Sequence, residues 1–338
     1  MRILISGSSD IWAIENHYCK HLNELGVKTF LFPAGNIFRK KYNTIGQKII
    51  HKIYPKLILD EINNKLLDEI SIINPDIVWV FKGMEIYPKT LLEIRKKGIF
   101  LINYNPDHPF SFAHKGSGNA NVKNSLSIYH LHLSYSKNII NELAKIYSAD
   151  VLFLPFGYDH TGNVYDFLPS EEINKIAFVG NPDANRTKIL NNLASNGYSI
   201  DVFGNGWAKY VKAQNIKIND PIYGPELWET LQKYRIQLNI FRPHNLNSHN
   251  MRTFEVPSVG GIMLAPASEE HFQFFEDNKE AFFYRNEDEL MKICEKILSL
   301  PKAEANKIRK AAHLRCIASK YSYLDRSEYL KSIFENYI

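Results

Sequence analysis

The chain has 338 residues, 45% hydrophobic and 13% aromatic, enough for two buried cores and incompatible with global disorder. Its net charge of +5 suits polyanionic ligands or an anionic membrane surface without specifying either. Three scattered cysteines, Cys19, Cys294 and Cys316, argue against a disulfide framework or a cysteine zinc site and fit a reducing cytosol.

Short apolar runs alternate with helical patterns, as expected of parallel-sheet α/β units. The opening run Met1–Gly7 is far too short for a signal peptide, and no run approaches the ~18 apolar residues of a membrane span. Strands are predicted near Ile3–Ser6, Lys28–Phe32, Ile77–Phe81, Phe100–Tyr104, Leu131–Tyr135 and Val151–Leu154. Helices are predicted over Trp12–Leu25, Leu57–Ile73, Pro88–Lys96 and Lys137–Ile146, with Gly26 as a helix stop. Gly, Pro, Thr, Asp and Ser then gather in Phe156–Ile173, the composition of an interdomain linker.

Beyond it the alternation restarts with strand Lys175–Val179, helix Asn185–Ser195, strand Ser199–Phe203, helix Pro225–Lys233 and strand Ile236–Phe241. Helix Asn250–Val259, strands Ile262–Ala265 and Ala281–Tyr284, and helix Glu287–Leu298 follow. Two mixed segments, Lys302–Ser319 and Ser322–Tyr337, end the chain. The expected architecture is α/β: two Rossmann-like, doubly wound parallel-sheet domains facing a ligand cleft. The first spans 1–160 and the second 172–318, with 319–338 as a terminal helix.

Site residues gather at strand C-termini in such sheets. In the second domain Gly180 ends a strand and Arg186 falls on the first turns of the next helix, where a guanidinium can neutralise a diphosphate. Gly204 and Gly206 form a second strand-to-turn junction that permits close backbone approach. Tyr223-Gly224 forms a third, with aromatic surface for a base. Each has a plainer reading, as a solvated arginine or a tight turn. In the first domain Asp107 and His108 follow a strong strand; either is a possible general base, although the flanking prolines also describe a turn.

Asp10 fits a helix cap, and His114–Gly118 an acceptor-contacting loop. His130 and His132 alternate on one strand face, read as partly exposed rather than metal-binding. Trp12 and Trp79 read as core. The basic stretch 38–56 places Ile45, Ile49 and Ile53 at helical spacing, a pattern that packs on a domain or meets an anionic bilayer. No GxGxxG follows the first strand of either domain, which disfavours a nicotinamide dehydrogenase. No DxD occurs, which disfavours a metal-held diphosphate.

The ordered set Phe178-Val-Gly180…Arg186, Phe203-Gly204-Asn-Gly206-Trp207, Tyr223-Gly224, Leu238-Asn239-Ile240 and Arg252-Thr-Phe-Glu255…Gly260-Gly261 resembles the CgeB-like (spore-maturation-like) branch of the group 1 glycosyltransferases. The resemblance covers roughly 172–300; the N-terminal half matches only in architecture. It implies the GT-B architecture. It also implies a ribose-binding role for Glu255, a diphosphate held by the backbone of Asn250, Met251 and Arg252, and a phosphate contact for Arg186. Asn247 stands where many relatives carry a Glu that contacts the transferred sugar, which leaves the sugar and the stereochemistry open. The terminal helix is expected to cross back onto the first domain, as in relatives.

The expected function is a metal-independent, cofactor-free hexosyltransferase-type glycosyltransferase. Its partners are a nucleotide diphospho-sugar donor and a saccharide or lipid-linked saccharide acceptor of surface polysaccharide synthesis, with no nucleic acid. The expected location is cytoplasmic, with peripheral membrane contact through 38–56. The alternatives are a nucleotide-sugar epimerase on the same fold and a non-catalytic nucleotide-sugar-binding subunit.

Overall fold

A computed structural model describes the chain except residues 45, 50–53, 55, 113–115, 148, 160–167, 170 and 243–246. The chain divides into two compact units, Met1–Pro155 with Tyr323–Ile338, and Phe156–Ser322. The first unit runs β1 (Arg2–Ser6), α1 (Ile14–Glu24), β2 (Lys28–Phe32), α2 (Ala34–Lys41), α3 (Lys56–Ile73), β3 (Ile77–Phe81), α4 (Pro88–Lys96), β4 (Phe100–Tyr104), α5 (Ala120–Ser125), β5 (Leu131–Ser134), α6 (Lys137–Ile146) and β6 (Asp150–Phe153). The second runs β7 (Ile173–Val179), α7 (Ala184–Ser195), β8 (Ile200–Phe203), β9 (Ile216–Asn219), α8 (Gly224–Lys233), β10 (Tyr234–Leu238), α9 (Arg252–Ser258), β11 (Met263–Pro266), α10 (Glu269–Phe274), β12 (Phe282–Tyr284), α11 (Glu287–Ser299) and α12 (Lys302–Ala318). Helix α13 (Tyr323–Glu335) then belongs to the first unit.

Each unit holds a six-stranded, wholly parallel sheet, ordered β2-β1-β3-β4-β5-β6 in the first and β12-β11-β10-β7-β8-β9 in the second. Such a sheet must be covered on both faces, and β3, Ile77-Val-Trp-Val-Phe81, is buried at every position. On one face α3 sets Ile58, Ile62, Leu66 and Ile70 at intervals of four, one stripe of a helix, against Leu4, Val78, Val80 and Leu101. On the other, α1 and α13 meet the sheet through aromatic rings: Tyr18 lies 4.9 Å from Trp79, and Trp79 lies 5.6 Å from Phe334. Helix α13 also ties the C-terminal end of α1, because Lys331 Nζ donates to the Leu25 carbonyl at 2.9 Å.

The second core joins Ile176, Phe178, Ile236 and Leu238 of the central strands to Leu190, Leu193 and Ile297 of the covering helices. Its largest buried polar group is Arg309 of α12, with no exposed surface. Arg309 Nη1 donates to the carbonyls of Gln232 (2.7 Å) and Gly260 (2.8 Å), and Nη2 bonds Glu172 at 2.7 Å. Arg235 holds the second oxygen of Glu172 at 2.5 Å. Burial opposes ionisation of Glu172, but the two guanidiniums outweigh it and hold the carboxyl below the usual range.

Four elements lack a sequence signal. Helices α5 and α10 have six residues each, too few to display a helical period. Helix α2 runs from Ala34 into the start of the basic stretch, and β9, Ile-Lys-Ile-Asn, is a four-residue strand at the sheet edge. Two burial expectations are corrected. Trp12 is 40% exposed, because α1 starts only at Ile14 and leaves Trp12 in the preceding loop. His132 is fully buried, its Nε2 satisfied by the Leu126 carbonyl at 2.8 Å, while His130 Nδ1 accepts the Leu101 amide at 2.9 Å. Ile45, Lys52 and Ile53 lie outside the described residues, as does half of the predicted linker.

Arg309→Met would leave Glu172 short of one partner and the Gln232 and Gly260 carbonyls short of a donor. The expected loss is about 3 kcal/mol or more in chemical denaturation of the second unit. A loss below about 1 kcal/mol would show that the network contributes little beyond its volume.

Candidate functional site

In the second sheet the chain leaves β7 toward one edge and β10 toward the other, so their following loops diverge. A crevice at the carboxyl ends of two such strands is where open α/β sheets bind ligands.

The loop after β7 is built by local rules. Asp183 caps α7, its Oδ1 accepting the Arg186 amide at 2.9 Å. That cap places Arg186 in the first turn, with its side chain turned back across the crevice. Nε and Nη2 donate to the Ile240 carbonyl beyond β10 at 3.2 and 3.0 Å, and Nη1 donates to the Asn181 carbonyl at 3.0 Å. The guanidinium also lies over the Phe178 ring at 5.3 Å. Arg186 therefore joins the loops after β7 and β10. Its pKa is pushed down to about 10 by burial, with Arg242 and Arg252 adding repulsion against the attraction of Asp183. Cationic charge thus converges at this point.

The turn after β8 is locked onto the same place. Gly204, at φ +154°, would set a Cβ 2.5 Å from the Gly180 oxygen, so only glycine fits. Trp207 Nε1 donates to that oxygen at 2.9 Å, and the Asn205 amide donates to Asn181 Oδ1 at 2.9 Å. Gly204 thus has a packing reason whatever it binds, and Gly206 a left-handed backbone at φ +89°. Tyr223 precedes α8 and is exposed.

Beyond β10, Asn247 is exposed with φ +64°. The residues after it are pinned by side-chain hydrogen bonds, several of them from buried residues, Ser248, His249, Glu270 and His271, that sequence reading gave no role. Asn239 and Asn250 exchange amide hydrogen bonds at 3.0 and 2.7 Å. Ser248 Oγ donates to Glu270 at 2.8 Å, and His249 Nδ1 meets the same oxygen at 2.5 Å. His249 Nε2 accepts the Phe156 amide at 3.2 Å, which places the ring proton on Nδ1. His271 Nδ1 donates to the Pro266 carbonyl at 2.8 Å, so its Nε2 accepts the Thr253 hydroxyl at 2.9 Å. Apart from His271 and Pro266, 5 residues apart, these partners lie 11 to 93 residues apart in the chain, so no local pattern announces them.

The pinned loop delivers Asn250, Met251 and Arg252 to the start of α9. Every residue of α9 from Thr253 to Ser258 is buried, Glu255 included at 5% exposure. The Glu255 carboxylate is paired with Arg252 Nη1, whose side chain is partly exposed. Arg252 in turn lies within electrostatic reach of Arg186. Gly261 ends this segment where a Cβ would lie 2.6 Å from the Leu231 carbonyl.

In the first unit Asp107 and His108 follow β4. The Asp107 amide donates to Asn105 Oδ1 at 3.0 Å, and its Oδ2 is held by Lys82 Nζ at 2.5 Å. His108 accepts the Phe110 amide at 3.3 Å, and burial lowers its pKa. Asp10 does not cap α1: Ala13 occupies the cap position, and the Asp10 carboxylate instead bonds Arg39 at 2.6 Å and Asn36 at 2.8 Å. His114 and Lys115 lie outside the described residues. Among the described residues, no three His, Cys, Asp or Glu side chains gather as metal ligands, and no helix is long and apolar enough to cross a membrane.

Residues 186–332 match the family described as Glycosyl transferase-like. A comparison with curated protein sequences finds no match. Among solved structures the chain is similar to sucrose-phosphate synthase from Thermosynechococcus elongatus, with a TM-score of 0.71 at 11% identity over 99% of this chain and 98% of that one. It is also similar to Anabaena HepE in complex with UDP-glucose, with a TM-score of 0.68 at 11% identity over 99% and 100% of the two chains. A third is UDP-GlcNAc 2-epimerase from Neisseria meningitidis bound to UDP-GlcNAc, with a TM-score of 0.56 at 13% identity over 99% and 100%. The chain has the GT-B fold, two Rossmann-like units each with a doubly wound parallel sheet.

Burial pushes the His271 pKa down to about 3, against the opposing pull of the Pro266 carbonyl. Unfolded, the ring titrates near pH ~6.5. Below that pH the unfolded chain binds a proton that the folded chain does not, so stability falls as pH falls toward the folded value. The slope from this group is about 1.4 kcal/mol per pH unit. His271→Gln can keep both hydrogen bonds without titrating. Denaturation between pH 7 and 5 should show the wild-type slope reduced by about one proton in the variant; equal slopes would place the proton elsewhere.

Proposed function

We propose that this chain is a glycosyltransferase that takes its sugar from a nucleotide diphospho-sugar bound in the second unit, with UDP as the nucleotide. The observation that carries this reading is Arg186 spanning the switch-point loops, with Arg242 and Arg252 in electrostatic reach and Glu255 buried beside Arg252. Three cationic side chains converging at strand C-termini suit a diphosphate better than a neutral ligand. The similarity of 186–332 to a Glycosyl transferase-like family supports the same chemistry. Fold neighbours bound to UDP-glucose and UDP-GlcNAc support the choice of UDP.

In this reading Arg186 and Arg252, with the backbone of Asn250 and Met251, hold the diphosphate. As the bond to the anomeric carbon breaks, charge grows on the leaving oxygen, and the fixed guanidiniums stabilise it without metal. Glu255 accepts the ribose hydroxyls, exchanging its Arg252 contact for them. Asn247 meets the donor sugar, Tyr223 flanks the base, and Gly180, Gly204 and Gly206 let the nucleotide approach the backbone. Asp107 and His108 belong to the acceptor side, where a saccharide or lipid-linked saccharide supplies the attacking hydroxyl.

A second reading, a nucleotide-sugar epimerase, is favoured by the Neisseria fold neighbour and by acidic side chains around Lys82 in the first unit. It predicts a change of sugar configuration with the nucleotide still attached, whereas transfer releases UDP.

UDP at about 100 times its Kd should stabilise the protein by about 2.7 kcal/mol, equally with and without EDTA. Glu255→Ala should weaken UDP binding about tenfold or more by calorimetry, the loss of a charged hydrogen-bond acceptor. An unchanged Kd in that variant removes Glu255 from the donor site, and no response to any nucleoside diphosphate removes the proposed function itself.

A further inference from the structure

The segment after β2 concentrates positive charge. Residues 35–59 hold six cations, Arg39, Lys40, Lys41, Lys48, Lys52 and Lys56, and no Asp or Glu, whereas the whole chain carries +5. Two of the six are answered within the first unit: Arg39 bonds Asp10 at 2.6 Å, and Lys41 pairs with Glu61 of α3. Lys40, Lys48 and Lys56 are exposed and meet no carboxylate among the described residues.

The same segment leaves large apolar side chains in water. Thr44 and Gln47 form a reciprocal cap: Thr44 Oγ1 accepts the Gln47 amide at 3.2 Å, and Gln47 Oε1 accepts the Thr44 amide at 3.1 Å. A helical turn follows through Ile49, which is 54% exposed, so at this position the isoleucine stripe does not pack on the domain. On α3 the buried stripe starts at Ile58, and Leu57, one position earlier, is turned outward at 59% exposure. Tyr54, whose carbonyl accepts the Leu57 amide at 3.1 Å, is 65% exposed. Contacts within the unit join these groups. Lys41 and Glu61 tie the end of α2 to the first turns of α3, and Lys48 Nζ lies 5.9 Å from the centre of the Tyr42 ring. The Tyr87 hydroxyl fixes the start of α3 by donating to the Lys56 carbonyl at 3.4 Å. Unanswered lysines therefore alternate with exposed apolar groups, Lys48 with Ile49, and Lys56 with Tyr54 and Leu57.

We propose that this face of the first unit docks on an anionic bilayer. Lys40, Lys48 and Lys56 meet the lipid phosphates, as clusters of basic residues do at a negatively charged leaflet. Ile49 and Leu57 enter the boundary between headgroups and acyl chains, and Tyr54 sits at the interface with its ring in the apolar layer and its hydroxyl in water. Charge alone would draw the face to any polyanion. Nucleic acid, however, offers no medium for the side chains of isoleucine and leucine, whereas a bilayer takes the charges and the apolar groups together. Neither signal suffices alone, so the attachment is reversible. This inference is independent of the transfer reaction proposed above.

Co-sedimentation of the full chain with vesicles tests the assignment, using phosphatidylcholine alone and phosphatidylcholine mixed with phosphatidylglycerol. Wild type should bind the mixed vesicles, less so as salt rises, and stay in solution with the neutral ones. Combining Lys40→Gln, Lys48→Gln and Lys56→Gln should weaken binding about a hundredfold, the joint effect of three charges at the surface. Ile49→Ser with Leu57→Ser leaves the charge unchanged and should weaken it about tenfold or more. Both variants should unfold at the wild-type temperature, since the altered side chains are exposed. Wild type that binds neither kind of vesicle, or both equally, overturns the proposal. So does a serine variant that binds as wild type does, because the face then meets anions by charge alone. An oligonucleotide that displaces the vesicles, is lost from the lysine variant and is unaffected by the serine changes makes nucleic acid the partner instead.

Discussion

Both sheets are parallel throughout, and that one constraint decides where chemistry can occur. Parallel strands send every C-terminal end to the same edge, so the loops that follow them are gathered there. Reversal of strand order between β7 and β10, and between β1 and β3, parts two loops at the middle of each edge. Both charged clusters, Arg186–Arg252–Glu255 in the second unit and Glu15–Lys82–Asp107 in the first, lie at these points. The charges that the strands do bury, such as Arg235 of β10, are paired within the fold.

The two clusters are charged in opposite senses. In the second unit burial and neighbouring arginines depress even the Arg186 guanidinium, so an anionic ligand would relieve mutual repulsion. In the first unit burial raises Glu15 and Glu85, with Lys82 opposing both shifts.

Behind the second cluster, buried polar side chains hold the loop after β10 in place. Histidines 249 and 271, each with both ring nitrogens satisfied, fasten that loop to Glu270, Phe156, Thr253 and Pro266. Such networks rigidify a site only when every member is bonded, and these are. The cost is sensitivity to acid at His271, where burial holds the ring neutral and a second proton would take the lone pair that accepts the Thr253 hydroxyl.

Much of the fold was legible in the sequence. Period-two and continuous apolar runs mark strands, four-spaced apolar residues mark α3, and Gly26 marks the end of α1, because these depend on neighbours in the chain. For the same reason Gly180, Arg186 and Asn250–Glu255 could be placed at strand ends from sequence order alone. The short helices α5 and α10, the exposure of Trp12 and the burial of His132 were not legible, because six residues carry no period and burial depends on what packs above a residue. Sequence order could not pair Arg186 with the Ile240 carbonyl, His249 with Glu270, or Lys82 with Asp107, since each pair spans 21 to 54 residues. Local propensity thus determined which segments are strands and helices. Only the tertiary structure, by setting the order of strands within each sheet, decided which loops meet and therefore which charges share a site.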